Sequence, residues 1–275
     1  FIQFWVVLFV FIAMTVIGYL KIGSFQNLIS KLPEGHLDPF AFGGVSWFVG
    51  AILLSGFIYI ANAVHWQRIL STESADVAKK SFFISIPFML LLSIMVLFFG
   101  LLASVLLGEV SQDSSLYVLM HTLLPPWLVG IGFAAIIAII TNSIDSLVIS
   151  GSAIVYKSMF KKNQFENKKE VLYARIITLV FGILGGFIAF VVPNIVTLSL
   201  FVTYLTLIFV PAIFAGLYSE KVSGRASFYS ILLPFILLLI LFPIVGKNTF
   251  IITTPLAILI VLFFDRIFKS GNTKL

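Results

Sequence analysis

Long charge-free apolar stretches recur along almost the whole chain, and they constrain its fold more than any motif does. A helix needs about 20 predominantly apolar residues to cross the hydrocarbon core of a bilayer. Of the 275 residues, 60% are hydrophobic and only 10% are charged. This pattern predicts an all-α integral membrane protein with about eight transmembrane helices. The stretches are Phe1–Leu20, Val45–Val64, Ser81–Leu107, Leu128–Tyr156, Ile176–Val192, Ile195–Tyr218, Phe228–Gly246 and Thr249–Phe264.

The basic residues alternate between the two sides of these predicted helices. Of the 17 Lys and Arg residues, all but Lys21, Lys31 and Lys247 follow the second, fourth, sixth or eighth stretch. The positive-inside rule then puts both ends of the chain in the cytoplasm, and we expect a bacterial cytoplasmic membrane protein. The net charge of +6 therefore indicates membrane topology and contact with anionic headgroups, and no nucleic-acid partner. Because the chain has no cysteine, disulfides and thiolate metal sites are excluded.

The chain begins at Phe1, without a methionine and inside its first apolar stretch. We therefore expect residues 1–275 to form a single membrane domain that is the C-terminal portion of a longer protein. The missing N-terminal helices of that protein would be partners of this chain.

An ionisable residue, Asp145, lies inside the fourth stretch. An ionisable group near the bilayer centre costs at least about 2.5 kcal/mol, so such groups usually face a cavity and serve a transport pathway. We expect Asp145 to have a coupling or structural polar role.

Other polar side chains surround Asp145 on the same predicted helix. Helical periodicity places Ile139, Asn142, Ser143 and Ser146 on one face. A hard cation such as sodium takes oxygen ligands from hydroxyl, amide, carboxylate or freed backbone groups. One interpretation is therefore a sodium site formed by these four residues. The alternative is that the hydroxyls only bond the preceding turn or a neighbouring helix.

The second stretch carries another polar face, formed by Ser55, Tyr59, Asn62 and Trp66. Gly50 and Gly56 lie beside it, and either could mark a break in the helix. Many transporters build a midplane substrate site at a broken helix. We expect Ser55, Gly56, Tyr59 and Asn62 to contact a substrate, although a packed polar seam between helices fits the same pattern.

Several segments resemble the sodium:solute symporter family. Its eighth core helix usually reads Ser-Thr-Ala-Asp-Ser where this chain has Asn142–Ser146, and its Gln-Arg-x-Leu-Ala motif matches Gln67–Ser71. The other matching segments are Gln3, residues 32–37, residues 123–130 and residues 152–154.

The resemblance implies a leucine-transporter-type fold with two inverted five-helix repeats. Core helices five to ten would occupy residues 1–218, and two additional helices residues 226–268. In the family, sodium binds between the first and eighth core helices. Ile139 then falls on a carbonyl position, Ser143 on the second hydroxyl position, and Asn142 replaces the usual serine at the first. The solute would lie beside the sixth core helix, with an aromatic side chain near Tyr59.

The function that the resemblance implies is sodium-coupled symport of a small organic solute, with Na⁺ as coupling ion and no organic cofactor. Sugars, amino acids, carboxylates and vitamins all stay open as solutes. A membrane sensor derived from a symporter is the alternative. Some sensors of the family carry a C-terminal kinase, and the short segment after the last apolar stretch argues against one here. We expect no enzyme, because intramembrane aspartyl enzymes need two aspartates and metal types need His-Glu-x-x-His.

Overall fold

A computed structural model describes residues 2–108, 110–159, 167–191, 194–218 and 222–272, and the side chains of all of these except 167–170 and 264–272. Basic side chains of the sequence analysis that lie outside this part are Lys161, Lys162, Lys168, Lys169, Lys221, Arg266, Lys269 and Lys274. Within the described residues the chain forms eleven α-helices. They are α1 Ile2–Ile22, α2 Phe25–Lys31, α3 Gly44–Ala61, α4 Ala63–Leu70, α5 Ala75–Leu106, α6 Ser115–Leu123, α7 Pro126–Met159, α8 Asn167–Val191, α9 Ile195–Tyr218, α10 Gly224–Val245 and α11 Phe250–Asn272.

Each of the eight predicted stretches lies mainly in one long helix. Seven helices in the described part are long and apolar enough to cross a membrane, and the eighth stretch is a shorter apolar section, Phe250–Phe263, of α11. The prediction of an all-α integral membrane protein is confirmed. The short helices α2, α4 and α6 lie between the long ones.

Side-chain caps and prolines fix where several of these helices begin. The hydroxyl oxygens of Ser24, Ser74 and Ser223 accept hydrogen bonds from backbone N–H groups in the first turns of α2, α5 and α10. Such bonds satisfy donors that have no partner inside the helix. Pro126 is the first residue of α7, a position at which its missing N–H costs nothing. Gly246 ends α10 with a φ of 63°, which favours glycine.

The chain divides into two compact units. Unit 1 contains Phe1–Leu37 and Arg68–Pro193, and unit 2 contains Asp38–Gln67 and Asn194–Leu275. Helices α1, α2 and α5–α8 therefore belong to unit 1, whereas α3 and α9–α11 belong to unit 2. The single domain over residues 1–275 and its division at residue 218 stay predictions.

In unit 1 the core lies where α1 packs against α5, α6 and α7. Val10, Leu102 and Met120 are fully buried there. Gly132 lets α7 approach closely, since a Cβ atom at that position would come within 2.6 Å of Met120 and 2.8 Å of Val10. This contact holds the first half of α7 against α1.

The core of unit 2 is an aromatic cluster around Tyr204 of α9. The Tyr204 ring lies 5.0 Å from the ring of Phe250, which is 2% exposed. The Tyr204 hydroxyl donates to the Lys247 carbonyl at 2.5 Å and accepts from Trp47 Nε1 at 3.3 Å. These bonds tie α3, α9 and the α10–α11 connection together.

Gly50 of α3 packs directly on this cluster and gives a test of it. Gly50→Ala would place a Cβ atom 2.7 Å from Cε2 and 2.8 Å from Cζ of Phe250. Overpacking of this kind costs about 1–3 kcal/mol, so we expect the variant to unfold at a lower SDS concentration than the wild type. Gly56→Ala in the same helix is the matched control, because no atom lies within 4 Å of its added Cβ. Equal loss of stability in both variants would contradict the packing described here.

Candidate functional site

The predicted sodium face of α7, which consists of Ile139, Asn142, Ser143 and Ser146, is called the α7 stripe below. Its hydroxyls bond the backbone of their own helix. Ser143 Oγ donates to the Ile139 carbonyl at 3.1 Å, and Ser146 Oγ donates to the Asn142 carbonyl at 2.9 Å. Thr141 does the same toward Ile137 at 2.9 Å. Because each hydroxyl has only one proton and it points along the helix, both oxygen lone pairs stay available at the helix surface.

Asn142 joins this stripe to another helix through a side-chain hydrogen bond. Its Nδ2 donates to Gln3 Oε1 of α1 at 2.6 Å. Asn142 is exposed and Gln3 is half-buried. Since the amide nitrogen is the donor in this bond, Asn142 Oδ1 is left as an acceptor on the residue that precedes Ser143.

The sequence pattern did not pair Gln3 with Asn142. Only the family resemblance drew attention to Gln3. A hydrogen bond between residues 139 positions apart leaves no pattern in the sequence around either residue. A polar residue in an otherwise apolar helix, facing another such residue, is the clue that could have linked the two.

Asp145 lies between Ser143 and Ser146 in the sequence, belongs to unit 1 and is exposed. Ser146 on the neighbouring line is half-buried. The described residues contain no group of three or more His, Asp or Glu side chains that could hold a metal ion. The oxygen groups of this region are three hydroxyls, one amide, backbone carbonyls and the Asp145 carboxylate. Oxygen ligands of these types suit a hard cation better than a transition metal.

The predicted substrate stretch contains a true helix break, but not at either glycine. The helix α3 runs unbroken through Gly56 and ends at Ala61; Asn62 is extended, with φ −87° and ψ 111°, and α4 begins at Ala63. The prediction of a break at Gly50 or Gly56 was wrong, because glycine is tolerated inside an apolar helix and Asn62 supplies the turn. Its Oδ1 accepts from the Val64 N–H at 3.0 Å.

Aromatic side chains gather around this break. Trp66 Nε1 donates to the Ile60 carbonyl at 2.6 Å, which satisfies a backbone group that the ended helix leaves free. The rings of Tyr59 and His65 lie 5.0 Å apart. His65 was not among the predicted site residues, because a continuous helix would carry it to another face than Tyr59.

The structure does not bring Ser55 into this cluster of side chains. Ser55 is exposed and donates to the Ile52 carbonyl one turn earlier, at 3.5 Å. Tyr59 is 52% exposed, and Asn62 is half-buried. The predicted substrate residues belong to unit 2. The predicted sodium residues and Asp145 belong to unit 1.

Apolar spanning helices, a polar stripe inside one of them and a broken helix in another are typical of polytopic membrane transporters. The sodium:solute symporter family model matches residues 1–233, and the chain belongs to that family. Its members couple solute transport to sodium, so the class is a transporter and not an enzyme family. No curated protein and no solved structure matched the chain.

The amide pair between α1 and α7 can be tested with a double-mutant cycle. Gln3→Ala, Asn142→Ala and the double variant should show a coupling energy of about 0.6 kcal/mol, and at most about 1.7, as for other interhelical hydrogen bonds in membranes. The measurement is SDS unfolding of each variant. A second cycle of Gln3→Ala with Ser143→Ala should show none, since the Ser143 hydroxyl bonds its own helix. Coupling of the same size in both cycles would argue against a specific amide pair.

Proposed function

We propose that this chain carries half of a sodium site on α7 and a solute-binding face at the α3–α4 break of an alternating-access symporter. The observation that supports this most is the pair of consecutive polar residues on α7, Asn142 and Ser143, whose side-chain oxygens can accept a cation. Both belong to exposed side chains inside a helix long enough to span the membrane. In a bilayer such groups need a polar partner, and an ion pathway supplies one.

The sodium ligands proposed on this helix are Asn142, Ser143, Ser146 and the Ile139 carbonyl. The Ser143 hydroxyl donates a hydrogen bond to the Ile139 carbonyl, so both lone pairs of its oxygen can face a cation. The Ile139 carbonyl accepts this bond and also the helical bond from the Ser143 N–H, so it can bind sodium only when one of the two bonds is given up. Because a hard cation needs more oxygens than one helix face provides, the remaining ligands come from another segment, which in the family is the first core helix.

We assign Asp145 an electrostatic role in coupling. A carboxylate at this depth partly offsets the charge of a sodium ion bound on the neighbouring face, and the ion in turn lowers the cost of the carboxylate. Neither charge is then alone in the membrane. The site would therefore favour having sodium bound before a solute is carried across.

On the solute side, Ser55, Gly56, Tyr59 and Asn62 form the proposed contact face. At the break, Asn62 is extended and helical bonding is interrupted, as at the broken helices that many transporters use for substrate binding. Tyr59 lies one turn before the break and presents both a ring and a hydroxyl. This arrangement suits a small organic solute with polar groups, and it selects no particular one.

The basic residues further support an orientation with both ends of the chain in the cytoplasm of a bacterial cell. No feature of the described residues favours the alternative of a membrane sensor. The partners that we propose are sodium, a small organic solute, the lipid bilayer and the N-terminal helices of the same transporter.

The sodium site predicts a graded loss of ion affinity. Ser143→Ala in the whole transporter should raise the dissociation constant for radioactive sodium about tenfold or more, since one lost ligand is worth about 1–3 kcal/mol. Asn142→Ser should keep sodium binding, whereas Asn142→Leu should abolish it. Thr141→Ala is the matched control, because that hydroxyl bonds its own helix in the same way but lies on another face. An unchanged sodium affinity in Ser143→Ala at normal expression would show that Ser143 is not a sodium ligand.

The solute face predicts a separation of solute transport from ion binding. Tyr59→Ala should weaken sodium-driven uptake while sodium binding survives, and Tyr59→Phe should retain the ring contact with His65. Because the native chain has no cysteine, single cysteines can map the face directly. Ser55→Cys, Tyr59→Cys and Asn62→Cys should react with a hydrophilic thiol reagent. Equal labelling of Phe57→Cys and Ile60→Cys would show that no solvated cavity follows this face.

A further inference from the structure

A groove lies between the C-terminal part of α7 and the N-terminal part of α8. Its volume is about 590 Å³, and side chains of both helices line it, from Ile149 to Lys157 on α7 and from Val171 to Leu179 on α8. Both helices belong to unit 1. The groove shares no lining residue with the α7 stripe and begins at Ile149, three residues after Ser146 along α7.

The walls of this α7–α8 groove are apolar in effect. Three side chains that line it carry a hydroxyl, namely Ser152, Tyr156 and Thr178. Two of these hydroxyls bond their own helix: Ser152 Oγ donates to the Ile149 carbonyl at 2.9 Å, and Thr178 Oγ1 donates to the Ala174 carbonyl at 2.9 Å. Ile149 and Leu179 are both exposed. An apolar surface of this kind inside a membrane suits a hydrocarbon chain.

The groove has a charged end and an apolar end. The helices are antiparallel, so Lys157 on α7 and Arg175 on α8 lie toward the basic side of the membrane, while Ile149 and Leu179 lie toward its centre. Lys157 and Arg175 are exposed, and no acidic side chain is among the described residues that line the groove. Lys and Arg side chains of this kind pack their stems on apolar surface and hold their charges at the headgroup level.

We propose that the α7–α8 groove binds one anionic phospholipid. Its phosphate lies between Lys157 and Arg175, and an acyl chain follows the apolar wall toward Ile149 and Leu179. The order of charge and hydrocarbon along the groove matches the order in a lipid of that leaflet. Basic pockets between transmembrane helices are known to bind anionic headgroups, and the guanidinium of Arg175 can grip a phosphate with two parallel bonds.

Native mass spectrometry of the whole membrane protein in detergent tests the proposal, with phosphatidylglycerol and phosphatidylcholine as probes. The wild type should retain phosphatidylglycerol in preference to phosphatidylcholine. Lys157→Gln with Arg175→Gln should weaken phosphatidylglycerol binding about tenfold or more, since each basic group near the surface adds to the attraction. The matched control is Lys79→Gln with Lys80→Gln on α5, which removes the same charge from two exposed lysines that do not line the groove.

A second variant separates the groove from its charge. Ala174→Trp keeps both cations but fills the cavity, and it should also displace phosphatidylglycerol. Glycerol 3-phosphate, which has the headgroup but no acyl chain, should not compete. The proposal is overturned if the α5 control loses as much lipid as the groove variant, if Ala174→Trp binds normally, if both phospholipids bind equally, or if glycerol 3-phosphate displaces the lipid.

Discussion

The structure depends on one constraint, the need to give every polar group a partner where water is absent. Inside a bilayer an unpartnered polar group of the backbone or a side chain costs several kcal/mol. Helices therefore dominate, and their hydroxyl groups donate hydrogen bonds to backbone carbonyls of the same helix. Ser143, Ser146 and Thr141 on α7 follow this rule. At the broken helix, Asn62 and Trp66 perform the same task for backbone groups that lost their helical partners.

Against this background, the exposed polar groups of α7 stand out. Asn142 satisfies its amide nitrogen with Gln3 but leaves its oxygen open, and Asp145 is exposed nearby. A membrane protein that only needed stability would have apolar side chains at these positions. The proposed ion site accounts for these polar groups, and it agrees with membership of the sodium:solute symporter family.

Much of the fold could be predicted from the sequence, because the length of an apolar stretch is a direct physical requirement of the bilayer. The position of the helix break could not. Gly56 suggests a weak point in the helix, but only the hydrogen bond from the Val64 N–H to Asn62 Oδ1 shows where the helix breaks. The Gln3–Asn142 pair was equally hidden, since it depends on how α1 and α7 pack, and that packing is set by distant contacts such as Gly132 against Val10.

The central claim is that sodium occupies the α7 stripe, and ion-dependent protection of a nearby cysteine tests it most directly. Ala138 lies one turn before Asn142 and is not a proposed ligand, so Ala138→Cys leaves the oxygen set intact. In the reconstituted whole transporter, sodium should slow the reaction of this cysteine with a hydrophilic thiol reagent, whereas the same concentration of potassium should not. A cysteine that reacts at the same rate in both ions would contradict the account.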